Sequence, residues 1–421
     1  MKRLSMSQLL SMMTLGFALG MLSGTLEPAL LGYKVLELAP EQRNTALGAL
    51  TFAGLLIAML TQPVVGALSD RTRTRLGQRV PYFVAGTVWA SICLILLASA
   101  PSVALLVISV VVLQIGSNMI QGPWQALMPD HVPDRQRGLA SGLKVLAEGS
   151  AAIVGRLIAG QLIGRVDEWG IVALSATIAV PSLSLIVATL ITARTLRTLP
   201  TAGSSAAPRS IRAALTGVLA IDLRAYPAFG WWFLNRLLFW CAVIAVSIFL
   251  LFFGIDVLGA TSAEAQRLIS QTSAVLGGAL LLCAVPASRL ADRVSRQKLV
   301  FVAGLLACAG TIGVVSTRDF GALMIAAAII GAGVGLYLIA DWALITEIVP
   351  RAEAARYIGL ANVATAGGSA IARLAGGVLI DAVNAATHTT SIGYLTLYAI
   401  AAGLFLSSAI AILPLRTSRQ A

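Results

Sequence analysis

The chain has 421 residues, 58% of them hydrophobic and 11% charged, with a formal net charge of +12. A soluble domain carries about 25% charged residues, so this composition excludes a water-covered surface and leaves lipid as the main surroundings. The cations fall between apolar runs and form no continuous face, which excludes nucleic acid as a partner and points to control of topology.

The first apolar run, Leu9–Leu31, follows Lys2 and Arg3. It is longer than a signal-peptide core and opens a series of similar segments, so it reads as a retained first span. A hydrocarbon crossing takes roughly 20 residues. On that measure the runs place spans at 8–32, 45–68, 80–99, 102–127, 137–164, 169–192, 230–255, 268–290, 298–316, 320–345, 356–383 and 392–414. With both termini cytoplasmic, 21 of the 30 Lys and Arg residues lie in inner segments, as the positive-inside rule requires. Only Lys34, Arg43, Arg165, Arg267 and Arg318 fall in outer loops, and Lys144, Arg156, Arg236 and Arg373 fall within spans. The long connection, 193–229, holds the breaker-rich run Pro200–Pro208 and then Arg209–Ala225, whose Leu215, Leu219 and Leu223 suggest a surface helix. The expected fold is therefore an all-α membrane protein of twelve transmembrane helices. It has an N-terminal six-helix bundle (1–192), a cytoplasmic linker (193–229) and a C-terminal six-helix bundle (230–421).

The halves repeat. A shift of 217 residues aligns Ala126-Leu127 with Ala343-Leu344, Val132-Pro133 with Val349-Pro350, and Arg156-Leu157 with Arg373-Leu374. Gly142, Ala147 and Gly160 meet Gly359, Ala364 and Gly377, and Asp130 meets Glu347 conservatively. Shared apolar composition would not align Gly, Pro and Arg so often, so the halves read as duplicated bundles related by a pseudo-two-fold axis. That build opens a midplane site alternately to either side.

After span two the chain reads Gly66-xxx-Asp70-Arg71 and then Gly77-Gln-Arg79, with a degenerate copy at Asp292-Arg293 after span eight. This resembles the cytoplasmic loop signature of the major facilitator superfamily. The longer stretch from Gln62 to Pro81, Gln121-Gly-Pro-Trp-Gln-Ala-Leu127 and Phe233-Leu-Asn-Arg236 resemble the sucrose–proton symporters and the related glycoside–pentoside–hexuronide cation symporters. Gln78 departs from that pattern, standing where the family loop usually has an Arg. The resemblance implies a charged cytoplasmic gate of Gly66, Asp70, Arg71, Arg79, Asp292 and Arg293. The residues alone also allow a simpler role, in which the loop fixes topology by attraction to anionic lipid.

Ionisable groups within spans are costly and each requires a reason. Glu27, beside Pro28 in span one, has no cation at helical spacing and is the first candidate for a proton- or cation-coupling carboxylate. Snorkelling at the outer interface is its alternative. Glu148 is second, with Lys144 one turn away, and Asp341 is third, provided it does not lie at the inner interface. In span four, Gln114, Asn118, Gln121 and Gln125 form a polar stripe with Trp124 beside it. Amides that bond hydroxyls and an aromatic that stacks on a ring suit sugar recognition, although hydrogen bonding between helices would use the same amides. Arg156, Asn235, Trp240, Tyr337 and Arg373 complete the substrate-binding candidates. The small-residue rows Ala151-Gly155-Ala159 and Gly368-Ala372-Gly376 allow the two arginines a packing role instead.

No nucleotide loop, catalytic constellation or metal-ligand cluster is present. Cys93, Cys241, Cys283 and Cys308 lie in apolar runs, and His131 and His388 fall between spans. No cofactor, metal or enzymatic activity is expected. The leading functional expectation is symport of a small polar solute, a sugar or glycoside, with a proton or cation, by a monomer in the cell inner membrane. Efflux of amphipathic compounds by antiport, and a non-transporting assembly or pigment-handling factor, are the alternatives.

Overall fold

The computed structural model describes residues 3–199, 227–291, 294–348 and 354–415. Asp292, Arg293, the run Pro200–Pro208 and the segment expected as a surface helix, Arg209–Ala225, lie outside the described residues. Among the described residues the secondary structure is helical, without strands. The helices are α1 (Met6–Thr25), α2 (Leu31–Leu38), α3 (Arg43–Arg71), α4 (Val80–Ala98), α5 (Val103–His131), α6 (Arg137–Ile163), α7 (Val166–Trp169) and α8 (Ile171–Thr198). They continue as α9 (Pro227–Ile248), α10 (Leu250–Asp256), α11 (Ser262–Ala291), α12 (Arg296–Ser316), α13 (Phe320–Ile348), α14 (Ala354–Thr387) and α15 (Ile392–Ala411). Eleven spans among the described residues are long and apolar enough to cross a membrane. The 30-residue α11 completes the all-α twelve-helix fold.

Local chemistry sets the helix starts. Ser5 accepts from the Gln8 N–H while the Gln8 side chain accepts from the Ser5 N–H, a reciprocal cap on α1. Ser102 and Ser295 cap α5 and α12 in the simpler way. Arg79 precedes α4, whose second residue, Pro81, tolerates having no N–H in the first turn.

The chain divides into two compact units, one of Met1–Glu41 and Leu50–Leu215, the other of Gln42–Ala49 and Thr216–Ala421. Within each, the first span is broken. Span one runs as α1, a π-turn at Leu26–Leu30 where Glu27 leaves helical geometry (φ −113°, ψ 129°), and α2. Span seven breaks at Phe249 between α9 and α10.

The duplicated sequence has duplicated packing. A Cβ on Gly20 of α1 would lie 2.4 Å from the Glu148 carbonyl and 3.0 Å from Ala151, and one on Gly24 would lie 2.0 Å from the Ala152 carbonyl. In the second unit a Cβ on Gly368 of α14 would lie 2.3 Å from the Leu237 carbonyl of α9. Leu237 and Gly368 stand 217 residues beyond Gly20 and Ala151, so the same backbone-to-backbone crossing recurs with the glycine on the other helix. Without a hydrophobic force between helices in lipid, such close approach is what holds them together.

Candidate functional site

At the end of the first unit where α3, α4, α5 and α8 meet the loop 72–79, Arg79 is the centre of a charge cluster. Its side chain is buried, pairs with Asp70 at 2.6 Å and Asp130 at 2.9 Å, and also bonds the Ser69 hydroxyl. Two carboxylates around one guanidinium satisfy its fork of donors. Arg71 is exposed, and Asp130, which the sequence offered only as a match to Glu347, proves to be the second partner. His131 is the last residue of α5 rather than part of a loop. Burial lowers its pKa, with Asp130 opposing and Arg79 reinforcing the shift.

Deeper in this unit, the break in span one exposes the Glu27 carbonyl, which accepts from Arg156 Nε at 3.1 Å. The Glu27 carboxylate acts electrostatically on the same guanidinium. The cation missing from Glu27's own helix is thus supplied by α6, held there by the Gly24–Ala152 contact. Lys144 lies 5.0 Å over the Trp124 ring. The Trp124 indole donates to the Met12 carbonyl at 2.7 Å and its six-membered ring fills the gap at Gly16. The structure therefore places Trp124 against α1 and Lys144, with its N–H already used. Along the amide stripe, Gln125 accepts from Gln62 of α3 at 3.0 Å and the Asn118 amide donates to the Gln114 carbonyl at 2.8 Å. Gln121 and Glu148 are half-buried.

The second unit holds a denser network. Arg236 and Asp341 form an ion pair with both side chains buried. Arg236 Nε also donates to the Thr365 hydroxyl at 2.9 Å and the Ala361 carbonyl at 3.2 Å, and the guanidinium lies over Trp232 and Trp342. Asn235 donates to the Ser408 carbonyl (2.7 Å) and hydroxyl (2.8 Å) and accepts from the Tyr337 hydroxyl at 2.9 Å, while Phe239 stacks on Tyr337 at 3.5 Å. The network joins α9, α13, α14 and α15. Asp341 and Arg236 both lie buried inside it. The Trp240 indole N–H is buried without a hydrogen-bond partner. Arg373 is half-buried, and a Cβ on Gly48 would lie 2.1 Å from its carbonyl.

Also within the second unit, Asp256 at the end of α10 pairs with Arg43 and accepts from the Tyr394 hydroxyl at 2.6 Å. Asp381 accepts from the Asn44 amide and from the Thr45 backbone N–H, each at 2.8 Å. A carboxylate on α14 thereby caps the start of α3 from 336 residues away in the chain.

These helices and clusters stand on a chain whose residues 38–414 match the profile of the MFS/sugar transport proteins. This chain belongs to that family. It is a multi-pass membrane protein and a secondary transporter of a small-molecule solute, not an enzyme. The general alpha-glucoside permease of Schizosaccharomyces pombe is 26% identical over a stretch making up 25% of this chain and 22% of that protein. The matched part therefore spans about a fifth of the permease. Among solved structures, a bacterial homologue of the lysosomal transporter Spinster superposes with TM-score 0.72 at 17% identity, over 99% of both chains. The nucleoside transporter NupG gives 0.71 at 15%, covering 97% of this chain and 99% of that one. A D-xylose–proton symporter gives 0.70 at 16% over 97% of each. At such identities these superpositions speak for the fold.

The transporter's polar contacts include several that sequence patterns did not reveal. Ser408, Thr365 and Trp232 look like ordinary span residues, and Asp256, Asp381 and Tyr394 like interface residues. Asp256 and Asp381 had one available signal: an acidic residue at the end of an apolar run in a chain with few acidic residues.

Proposed function

We propose that this transporter is a proton- or cation-coupled symporter of a sugar, glycoside or similar polyhydroxylated solute. It works as a monomer in the cell membrane with both termini cytoplasmic. The observation that carries this reading is the buried Arg236–Asp341 pair within the Asn235–Tyr337–Ser408 network. Taking two charges out of water is repaid only by close pairing. A proton on Asp341 would cancel one of them and release Arg236 to its Thr365 and Ala361 partners, which couples protonation to helix arrangement. Glu27 beside Arg156 is the second coupling candidate, and Glu148 the third. Trp240, with its unused indole N–H, and Gln121 are the best placed of the substrate-binding candidates to meet hydroxyl groups. Asn235 and Tyr337 act through the network, and Asn118, Gln125, Trp124, Arg156 and Arg373 each act by holding helices within their own unit. Asp70, Arg79 and Asp130, with Gly66 and Arg71, serve as the cytoplasmic gate, and the partial likeness to an alpha-glucoside permease supports the solute class.

The test is uptake into proteoliposomes with and without an imposed pH gradient, beside counterflow exchange, for Asp341→Asn, Glu27→Gln and Glu148→Gln. Asp341→Asn should lose uphill accumulation and keep counterflow. Wild-type accumulation in all three variants would refute carboxylate coupling, and outward pumping would favour an antiporter instead. For orientation, a single Cys at Thr389 should react with impermeant thiol reagents on intact cells, and one at Ser204 should not.

A further inference from the structure

A cavity of about 340 Å³ opens in the first unit beside the Arg79 cluster. The loop 74–80, the end of α5 and the end of α8 with Leu199 enclose it. Its shape depends on Gly77, whose φ of +90° only glycine adopts easily. The Gly77 N–H donates to the Thr74 carbonyl at 3.0 Å and its carbonyl accepts from the Thr74 hydroxyl at 2.7 Å, which closes the turn. The charges lining the cavity are Arg75, Arg79, Arg197 and Asp130. Arg79 and Asp130 are spent on each other, and Arg79 also on Asp70. Arg75 and Arg197 are exposed and have no ion pair among the described residues. The Gln78 side-chain nitrogen, also in the lining, is buried with no hydrogen-bond partner among the described residues. A buried donor left unsatisfied is costly and needs an acceptor. Two unpaired guanidiniums with one unsatisfied amide donor make a set that an oxyanion with several acceptors would complete.

We propose that this cavity binds the phosphate of an anionic phospholipid headgroup. The position favours a lipid over a dissolved anion. The cavity lies at the ends of three membrane-spanning helices, α4, α5 and α8, the level at which headgroups sit. Leu76, between Arg75 and Gly77, is 46% exposed, an apolar side chain that an adjoining bilayer would cover. Leu196 and Leu199 also line the cavity, apolar side chains against which the first carbons of an acyl chain would pack. A bound phosphate would fix the loop that carries Arg79, the partner of Asp70 and Asp130, so the lipid would tune the charge cluster from outside. The proposal is independent of which solute is carried.

The purified full-length protein in maltoside micelles is titrated with phosphatidylglycerol, phosphatidylcholine and inorganic phosphate, following the thermal unfolding midpoint. Phosphatidylglycerol should raise it saturably, and the other two should not do so at matched concentration. Each arginine near an anionic surface is worth about 5-fold in affinity. The double variant Arg75→Gln with Arg197→Gln should therefore raise the half-saturating lipid concentration by about 25-fold. Gln78→Leu should raise it about 10-fold, as loss of a hydrogen bond to a charged group implies. Arg73→Gln, a change at an exposed loop arginine outside the cavity lining, should shift it by no more than about 5-fold, the share of one general surface charge, well short of the double variant. Equal saturation in the double variant and the wild type would overturn the site. Saturation by inorganic phosphate at the lipid's concentration would overturn the lipid assignment and make this a soluble-phosphate site.

Discussion

Removing one partner of the Arg236–Asp341 pair should harm the protein more than removing both. In Arg236→Met the Asp341 carboxylate stays fully buried among α9, α13 and α14 without its counter-charge. Breaking a buried pair in this way costs about 3–5 kcal/mol, whereas replacing both partners by apolar groups of similar volume is often neutral. Arg236 also loses two hydrogen bonds from Nε and its positions over Trp232 and Trp342. The cation–π part adds about 2 kcal/mol where desolvated. For a unit of roughly 200 residues each kcal/mol moves the midpoint by about 2–4 °C. Arg236→Met should then unfold on the order of 10 °C below wild type, and Arg236→Met with Asp341→Leu should recover most of that loss. The assay is thermal unfolding of detergent-solubilised protein by intrinsic fluorescence, run beside counterflow transport. The double variant should be stable yet unable to accumulate solute uphill. An unchanged midpoint in Arg236→Met would show that the pair is not desolvated, and the coupling argument would fall with it.

Three further outcomes follow from the geometry. Asp130→Asn should impair transport about as much as Asp70→Asn, since both carboxylates hold Arg79, whereas exposed Arg71→Gln should have a smaller effect; uptake rates at matched expression check this. Gly24→Val should prevent assembly because its Cβ would lie 2.0 Å from the Ala152 carbonyl, while Gly149→Ala, with nothing within 4 Å, should be tolerated; monodispersity of the solubilised protein reports both. Asp256→Asn should lower the unfolding midpoint more than Tyr394→Phe, because it removes an ion pair as well as a hydrogen bond; equal losses would mean that the Arg43 pair contributes nothing.

By itself the sequence determined the architecture. Lipid demands that each crossing satisfy its own backbone, so twelve apolar runs of fixed length become helices whatever else they touch, and the 217-residue repeat shows that one bundle was built twice. It also brought forward Glu27 and Asp341, because an ionisable group within a span is conspicuous against apolar surroundings, and Asp70 and Arg79 through the resemblance of their loop to a family signature. The partners of those groups were decided only by tertiary structure. Arg156 reaches the Glu27 carbonyl from another helix, Asp130 joins Arg79 from 51 residues away, and Asp341 finds Arg236 across 105. Helical periodicity links residues three or four apart and says nothing of neighbouring helices. The contacts that do, glycines such as Gly24 and Gly368 laid against a facing carbonyl, carry no charge and are one small residue among many in the sequence. Trp124 marks the same limit: its pattern suited a sugar platform, but helix packing turned its N–H to Met12 and set its ring against Gly16 and under Lys144. Which polar group faces a cavity and which is spent on a neighbour depends on how helices cross, and that is fixed by contacts between segments far apart in the chain.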